Sequence, residues 1–387
     1  MMMDRKGHRV MLYAEPVLGD QELEVSTKVE ELRKQLRYQL HQPRRWVGNL
    51  RRLSFARAIQ GSNSIEGFVA ALDDVAAVEA GEEPLDADTE TKLALWGYRE
   101  ALTYVLQLAG EESFDYSEQL LKSLHFMMTS YDLSSRPGLW RAGSIFVHNE
   151  ETDEIVYEGP DVAMVPDLMG ELVDGLNKPV SSPALVRAGM AHLNLVMIHP
   201  FREGNGRMAR CLQTLVLARE GVLEPQFCSI EEYLGRNTED YYEVLAKVGE
   251  GEWHPDHDAR PWVRFILTAH YRQAETLLNR VRESEELWTA LERLRDRESL
   301  QERVIDALFD AALGLRVRRA TYLKLLAEPI SEQAAGRDLR QLAEREILVP
   351  HGEKRGRYYT GGPALLATWA AIRARRSRRI PDPFEES

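Results

Sequence analysis

The sequence predicts a mainly α-helical protein with one β-hairpin near its middle and a small helix-and-strand unit toward its C-terminus. Three observations carry this expectation. The stretches "VSTKVEELRKQLRYQLHQ", "TKLALWGYREALTYVLQLA", "SEQLLKSLHFMMTSY" and "VPDLMGELVDGLN" place apolar residues at i, i+3 and i+4. The segment "RAGSIFVHNEETDEIVYEGP" replaces that period by two short β-prone runs around an acidic turn. Near the C-terminus, "ILVPHGEKRGRYYTGG" reads as two short strands around a glycine-rich basic turn.

Each element follows in chain order. Residues 1–89 form an N-terminal helical region. Residues 90–275 form a helical core, interrupted by the hairpin at about 144–158 with strands Ile145–Val147 and Ile155–Tyr157. In "LVRAGMAHLNLVMIHP" nearly every side is apolar, as expected of a helix at the centre of a bundle. Pro200 ends it, because proline has no amide donor and disfavours helix in the residue before it. A second apolar helix, "MARCLQTLVLAREG", starts after "GNGR" and is closed by Gly221.

A long charged helix, with residues 276–298 as its linker portion, leads to a unit at 299–362. That unit reads as helices at about Leu300–Ala312, Val317–Leu326 and Glu332–Arg345 followed by the two strands, the order of a winged helix-turn-helix. Residues 363–387 read as a helix and a basic tail. Arg337, Arg340, Lys354, Arg355 and Arg357 would face DNA in such a unit. Glu332, Asp338, Glu344 and Glu346 dilute that patch, so a structural or protein-docking role stands beside DNA contact.

The totals narrow the function classes. A chain of 387 residues has room for two or three domains, and its 62 acids against 49 bases give a net charge of −13. That balance argues against a protein whose main business is coating nucleic acid, and leaves room for one small DNA-binding module. Cys211 and Cys228 have no metal-type spacing and are expected as free thiols in a reducing compartment. With no signal-length apolar stretch and no window long enough to span a bilayer, the expected location is the cytoplasm, with no membrane partner.

The chemistry concentrates in "HPFREGNGRMAR", His199 to Arg210. A loop running into a helix N-terminus offers unpaired N–H groups and a positive dipole end, which suit a phosphate. Gly204 and Gly206 let the backbone approach such a group closely. Arg207 and Arg210, three residues apart, project from one helical face toward the same phosphate chain. Glu203, the one acid in the loop, together with phosphate oxygens can hold Mg²⁺. His199 titrates near neutrality in water and can take a proton from an attacking hydroxyl. These parts compose a phosphate-transfer site.

The motif resembles the signature of the Fic family (filamentation induced by cyclic AMP), H-x-F-x-[D/E]-G-N-G-R-x-x-R, at every specified position. The resemblance extends over roughly residues 90–275 and likens the hairpin to the family's substrate-positioning flap. It implies a Fic-type helical bundle and transfer of AMP from ATP to a Ser, Thr or Tyr hydroxyl of a target protein, with release of pyrophosphate. It implies His199 as general base, Phe201 as anchor of the nucleotide-binding loop and Glu203 as Mg²⁺ ligand. Asn205 with the amides of Gly204 and Gly206 would meet the α- and β-phosphates, Arg207 the β-phosphate and Arg210 the γ-phosphate. "NTEDYYEVL" resembles the segment lining the nucleoside side, with Asn237, Tyr241 and Tyr242 either contacting ATP or packing in the core. His192 is read as a hydrogen-bonded core histidine, and "WHPDHD" matches no metal spacing.

Upstream, "GSNSIEGF" resembles the family's inhibitory motif [S/T]-x-x-x-E-[G/N], here Ser62, Glu66 and Gly67. Glu66 bound to Arg210 would occupy the arginine that holds the γ-phosphate, with Ser62 orienting Glu66. In the family the corresponding glutamate can also serve removal of AMP from a target, and self-modification and a homodimer are further implications of the resemblance. The competing function is a transcription regulator in which the nucleotide site senses ligand and the winged helix binds DNA.

Overall fold

A computed structural model describes residues 12–148, 154–179, 181–221, 224–326, 328–353, 356–375 and 380–385. The hairpin apex at 149–153, Lys354 and Arg355, and parts of the tail lie outside the described residues.

The chain is mainly helical, as its periodicity predicts. An N-terminal group comprises α1 (Asp20–Leu40), α2 (Val47–Ile65) and α3 (Leu72–Glu79). After it come α4 (Thr89–Leu108) and α5 (Glu118–Thr129), the antiparallel hairpin of β1 (Phe146–His148) and β2 (Ile155–Glu158), and α6 (Val165–Asn177). At the centre stand α7 (Ala184–Ile198) and α8 (Asn205–Arg219), followed by the short α9 (Pro225–Cys228), α10 (Glu231–Arg236) and α11 (Thr238–Gly249). Then α12 (Arg260–Arg297) leads to α13 (Ile305–Ala312), β3 (Val317–Arg318), α14 (Arg319–Leu325), α15 (Glu332–Glu344), β4 (Leu348–His351), β5 (Tyr358–Gly361) and α16 (Pro363–Ala374).

The helix at the centre is apolar on all sides because neighbours cover all sides. α7 buries Leu185, Val186, Ala188, Leu193, Leu195 and Ile198 between α6, α8 and α12. Trp262 of α12 donates its indole N–H to the carbonyl of Gly189 at 2.8 Å, which fixes α12 across α7. His192 is fully buried; its Nδ1–H donates to Gln213 at 2.6 Å and its Nε2 accepts from the Tyr241 hydroxyl at 2.9 Å.

The linker portion expected at 276–298 is the second half of α12, the long helix read from the sequence, which runs on because Leu277, Leu278, Val281, Leu287, Trp288 and Leu291 prolong its buried stripe and no proline or glycine interrupts it. Two helix starts differ from the sequence reading. The expected helix from Val317 begins instead as strand β3, since Val317 and Arg318 pair antiparallel with Tyr359 and Tyr358 of β5. The resulting sheet has the order β3-β5-β4. The first helix of this C-terminal unit also starts late, at Ile305 after a tight turn over Glu302–Val304. Ser331 caps α15, its hydroxyl accepting from the Ala334 N–H at 3.2 Å.

The position of α2 depends on two glycines. A Cβ on Gly61 would lie 2.3 Å from the carbonyl oxygen of Glu231, and one on Gly235 would lie 2.7 Å from the Cα of Gly61. The absence of side chains there lets α2 and α10 meet backbone to backbone. This contact sets where the C-terminal end of α2, at Ile65 and Glu66, arrives.

Candidate active site

The loop between α7 and α8 is shaped by its own residues. His199 caps α7 in the left-handed region at φ 51°, and Gly204 caps the start of α8 at φ 77°. Asn205 closes the turn: its side-chain oxygen accepts from the Phe201 N–H at 2.9 Å and its amide donates to the Phe201 carbonyl at 3.0 Å. The Asn205 side chain is therefore committed to the loop, and the expected phosphate contact from it falls to its backbone N–H. That N–H, with those of Gly206 and Arg207, has no acceptor within the helix. Phe201 is fully buried, stacked on His125 at 3.6 Å between ring centres and lying 4.8 Å from Trp140. It anchors the loop from beneath, and its ring is withdrawn from any nucleotide.

His125 has no precedent in the sequence reading. Its Nδ1 accepts from the Gly138 N–H at 2.9 Å, so its proton sits on Nε2, which donates to the carbonyl of Glu203 at 2.8 Å. Burial lowers its pKa to about 4, so it stays neutral and holds Glu203 from the back. The Glu203 carboxylate is on the exposed side of the loop. Partial burial, then the charge of Glu66, raises its pKa.

His199 is set up as a base. Its Nδ1–H donates to the Val196 carbonyl at 3.1 Å, which leaves the lone pair on Nε2. Burial lowers its pKa to about 4, so the imidazole is neutral near pH 7.

The two arginines converge with the upstream motif. Arg210 is 1% exposed; its Nε donates to the Ser62 hydroxyl at 2.8 Å, and its Nη2 donates to the Ser62 carbonyl at 2.9 Å and to Glu66 Oε1 at 2.7 Å. Ser62 thus orients Arg210 directly, whereas the sequence suggested that it would orient Glu66. Burial alone would raise the Glu66 pKa, but the charge of Arg210, then of Arg207, outweighs it and lowers the value. Gly67 follows at φ 83° and turns the chain away after Glu66. Arg207 is buried, with its guanidinium 5.1 Å from the Phe68 ring centre and its Nη1 3.5 Å from the Tyr131 hydroxyl.

Glu66 stands where an anion would bind. A Cβ on Gly206 would lie 2.4 Å from Glu66 Oε1 and 3.0 Å from Arg210 Nη1, so that carboxylate lies over the bare backbone at the start of α8. Arg210 Nη1 and Arg207 Nε are buried and have no hydrogen-bond partner among the described residues. Two orphaned guanidinium nitrogens and the open amides at the start of α8 fit a polyphosphate. One exposed carboxylate beside them, Glu203, fits Mg²⁺ bound through phosphate oxygens, and no cluster of three acidic, His or Cys side chains is present among the described residues.

The nucleoside-side candidates divide. Tyr241 is 1% exposed and belongs to the core with His192 and Trp262, because its position on α11 faces α12. Tyr242 is on the surface, and its hydroxyl donates to the Ile65 carbonyl beside Glu66 at 3.2 Å. Asn237 joins α10 to α11, donating from its side chain to the Tyr233 carbonyl at 2.7 Å.

The profile of the Fic/DOC family matches residues 115–217, the span that holds α5, the hairpin, α7 and most of α8. The chain thus carries a Fic/DOC family domain. Among curated proteins, the protein adenylyltransferase Fic of Nematostella vectensis is 25% identical over 236 residues, covering 58% of this chain and 49% of that protein. The protein adenylyltransferase fic-1 of Caenorhabditis elegans is 33% identical over 117 residues, covering 29% of this chain and 21% of that protein. The chain therefore matches about half the length of the first and a fifth of the second. In fold it resembles a Fic family protein from Desulfovibrio desulfuricans G20, with TM-score 0.56 at 23% identity over 90% of this chain and 98% of that one. It resembles Fic-1 from C. elegans with TM-score 0.54 at 22% identity over 68% and 73% of the two chains. No helix among the described residues is long and apolar enough to cross a membrane.

Proposed function

We propose that this Fic protein transfers AMP from ATP to a hydroxyl of a protein target and that Glu66 restrains the reaction. The observation that carries the reading is the Glu66 carboxylate lying over Gly206 on Arg210, beside two unpartnered guanidinium nitrogens. A carboxylate held there mimics one anionic group of the polyphosphate that these groups would accept.

The chemistry follows from the residues. His199 Nε2 takes the proton of the target hydroxyl, whose oxygen bonds to the α-phosphorus as the bond to the β-phosphate bridging oxygen breaks. The products are the AMP-modified protein and pyrophosphate. The amides at the start of α8, with Arg207 and Arg210, hold the phosphates in line. Mg²⁺, held by Glu203 with phosphate oxygens, would neutralise part of the charge on the leaving group. While Glu66 occupies Arg210, the terminal phosphate loses one of its partners.

ATP labelled at the α- or the γ-phosphate, incubated with the full chain, its Glu66→Gly variant and its His199→Ala variant, tests the reading. Covalent retention of α label, increased in Glu66→Gly and absent in His199→Ala, is the expected result. Retention of γ label would mean phosphorylation. Binding without transfer would favour the regulator, and a salt-dependent shift of duplex DNA by the full chain would support it. Release of AMP by a modified target, self-labelling, a homodimer, and reading of residues 299–362 as a winged helix remain parts of the proposal that the same preparations can address.

A further inference from the structure

We propose that Arg141 is a positioning residue that locks the flap to the catalytic histidine, so that a hydroxyl brought by the flap meets His199 Nε2 in register; this rests on the transfer reaction proposed above. Arg141 is 6% exposed and lies between the end of α5 and β1. Its Nε donates to the carbonyl of His199 at 2.9 Å and its backbone N–H to the carbonyl of Pro200 at 2.8 Å. From the same guanidinium, Nη1 donates to the carbonyl of Gly143 at 2.7 Å and Nη2 to the carbonyl of Pro160. Gly143 and Pro160 are the two roots of the hairpin, one before β1 and one after β2.

The planar fork of five donors explains the residue type. A guanidinium spreads its donors over three nitrogens in a fixed plane, each of which here meets a different carbonyl, whereas an ammonium gathers its three donors on one nitrogen at the end of a flexible stem. The last carbonyls of a helix lack intrahelical partners and present a negative dipole end, so a buried cation is well placed at the end of α7. Tyr157 on β2 reinforces the attachment, donating its hydroxyl to the Met197 carbonyl at 2.8 Å. Gly159 leaves room for the roots to close: a Cβ there would lie 2.6 Å from Ile145 Cγ2. The flap roots and the base are thereby one hydrogen-bonded unit, separate from the phosphate cradle at the start of α8.

Full-length protein carrying Glu66→Gly is the parent for the test, with Arg141→Gln and Arg141→Lys added singly. ATP affinity should stay within about threefold of the parent, because the cradle is untouched, while self-labelling by α-labelled ATP falls at least 30-fold in Arg141→Gln and less in Arg141→Lys. Hydrogen exchange supplies the second reading. In Arg141→Gln, amides of 143–147, 155–159, 199 and 201 should lose protection together while α8 keeps its own. Affinity falling in step with rate, labelling retained within threefold, or protection kept at either the flap roots or the loop at 199–201 would each overturn the assignment. Absence of α-label transfer in the parent itself would instead count against the proposed reaction, and the exchange result would still decide whether Arg141 couples flap and base.

Discussion

Arg52 on α2 is ion-paired with Asp310 on α13, both largely buried, although 258 residues separate them. One turn away on α2, Asn49 donates to Asp306 at 2.9 Å. The helix that delivers Glu66 to Arg210 is therefore gripped at its other half by the C-terminal unit.

Removing one partner of a buried pair leaves the other charge uncompensated, at a cost of about 3–5 kcal/mol. Asp310→Ala should lower the thermal unfolding midpoint and, by loosening α2, raise self-labelling by α-labelled ATP above wild type. Earlier unfolding without faster labelling would show that the grip on α2 has no bearing on the brake.

Gly61→Ala should act on the same helix from the side. The added methyl would meet the Glu231 carbonyl at 2.3 Å, where only backbone can give way. Overpacking of this kind costs about 1–3 kcal/mol. Urea unfolding should show that loss, whereas Gly48→Ala, with open space around its Cβ, should show little.

His199 should remain neutral through the physiological range. Its imidazole resonances, followed by NMR in the nucleotide-free chain, should titrate with a midpoint near pH 4, with the neutral form protonated on Nδ1. A midpoint near 6.5 would mean that burial does not govern this group.

Glu231 carries a pH signature of its own. It is buried under α2 with one oxygen accepting from Thr214 at 3.1 Å, and burial, partly offset by the charge of Arg210, raises its pKa to about 7. A carboxyl whose folded value exceeds its unfolded one supports the fold fully below the unfolded value, and that support is lost as pH rises through the folded value. Stability should therefore decline between about pH 4.5 and 7, by an amount on the order of 3 kcal/mol from this group. Glu231→Gln should flatten that slope in denaturant titrations at pH 5 and 8. Equal slopes for the two proteins would exclude this origin.

Much of this was legible in the residues. The helices announced themselves because burial on one face imposes a 3.6-residue period, and the loop at 199–210 stood out because its residue types have no common structural reason to adjoin. The meeting of Ser62 and Glu66 with Arg210 was foreshadowed by motif resemblance, but the detail that Ser62 bonds the arginine required the fold. Arg141 and His125 left no trace, since their partners are backbone carbonyls and amides, which every residue possesses. The committed side chain of Asn205 was hidden for the same reason. Strand β3 was missed because two residues are too few to show an alternating pattern, and only pairing with β5 makes them a strand.

At a rise of 1.5 Å per residue, the unbroken α12 is a rod about 57 Å long. Its near end bears Trp262, fastened to α7 at Gly189, ten residues before His199, and its far end bears Trp288 against Phe309. A stiff lever of that span turns a tilt of two degrees into a displacement of about 2 Å at the opposite end. Whatever leans on the C-terminal unit is thereby felt beneath His199 without any hinge to absorb it.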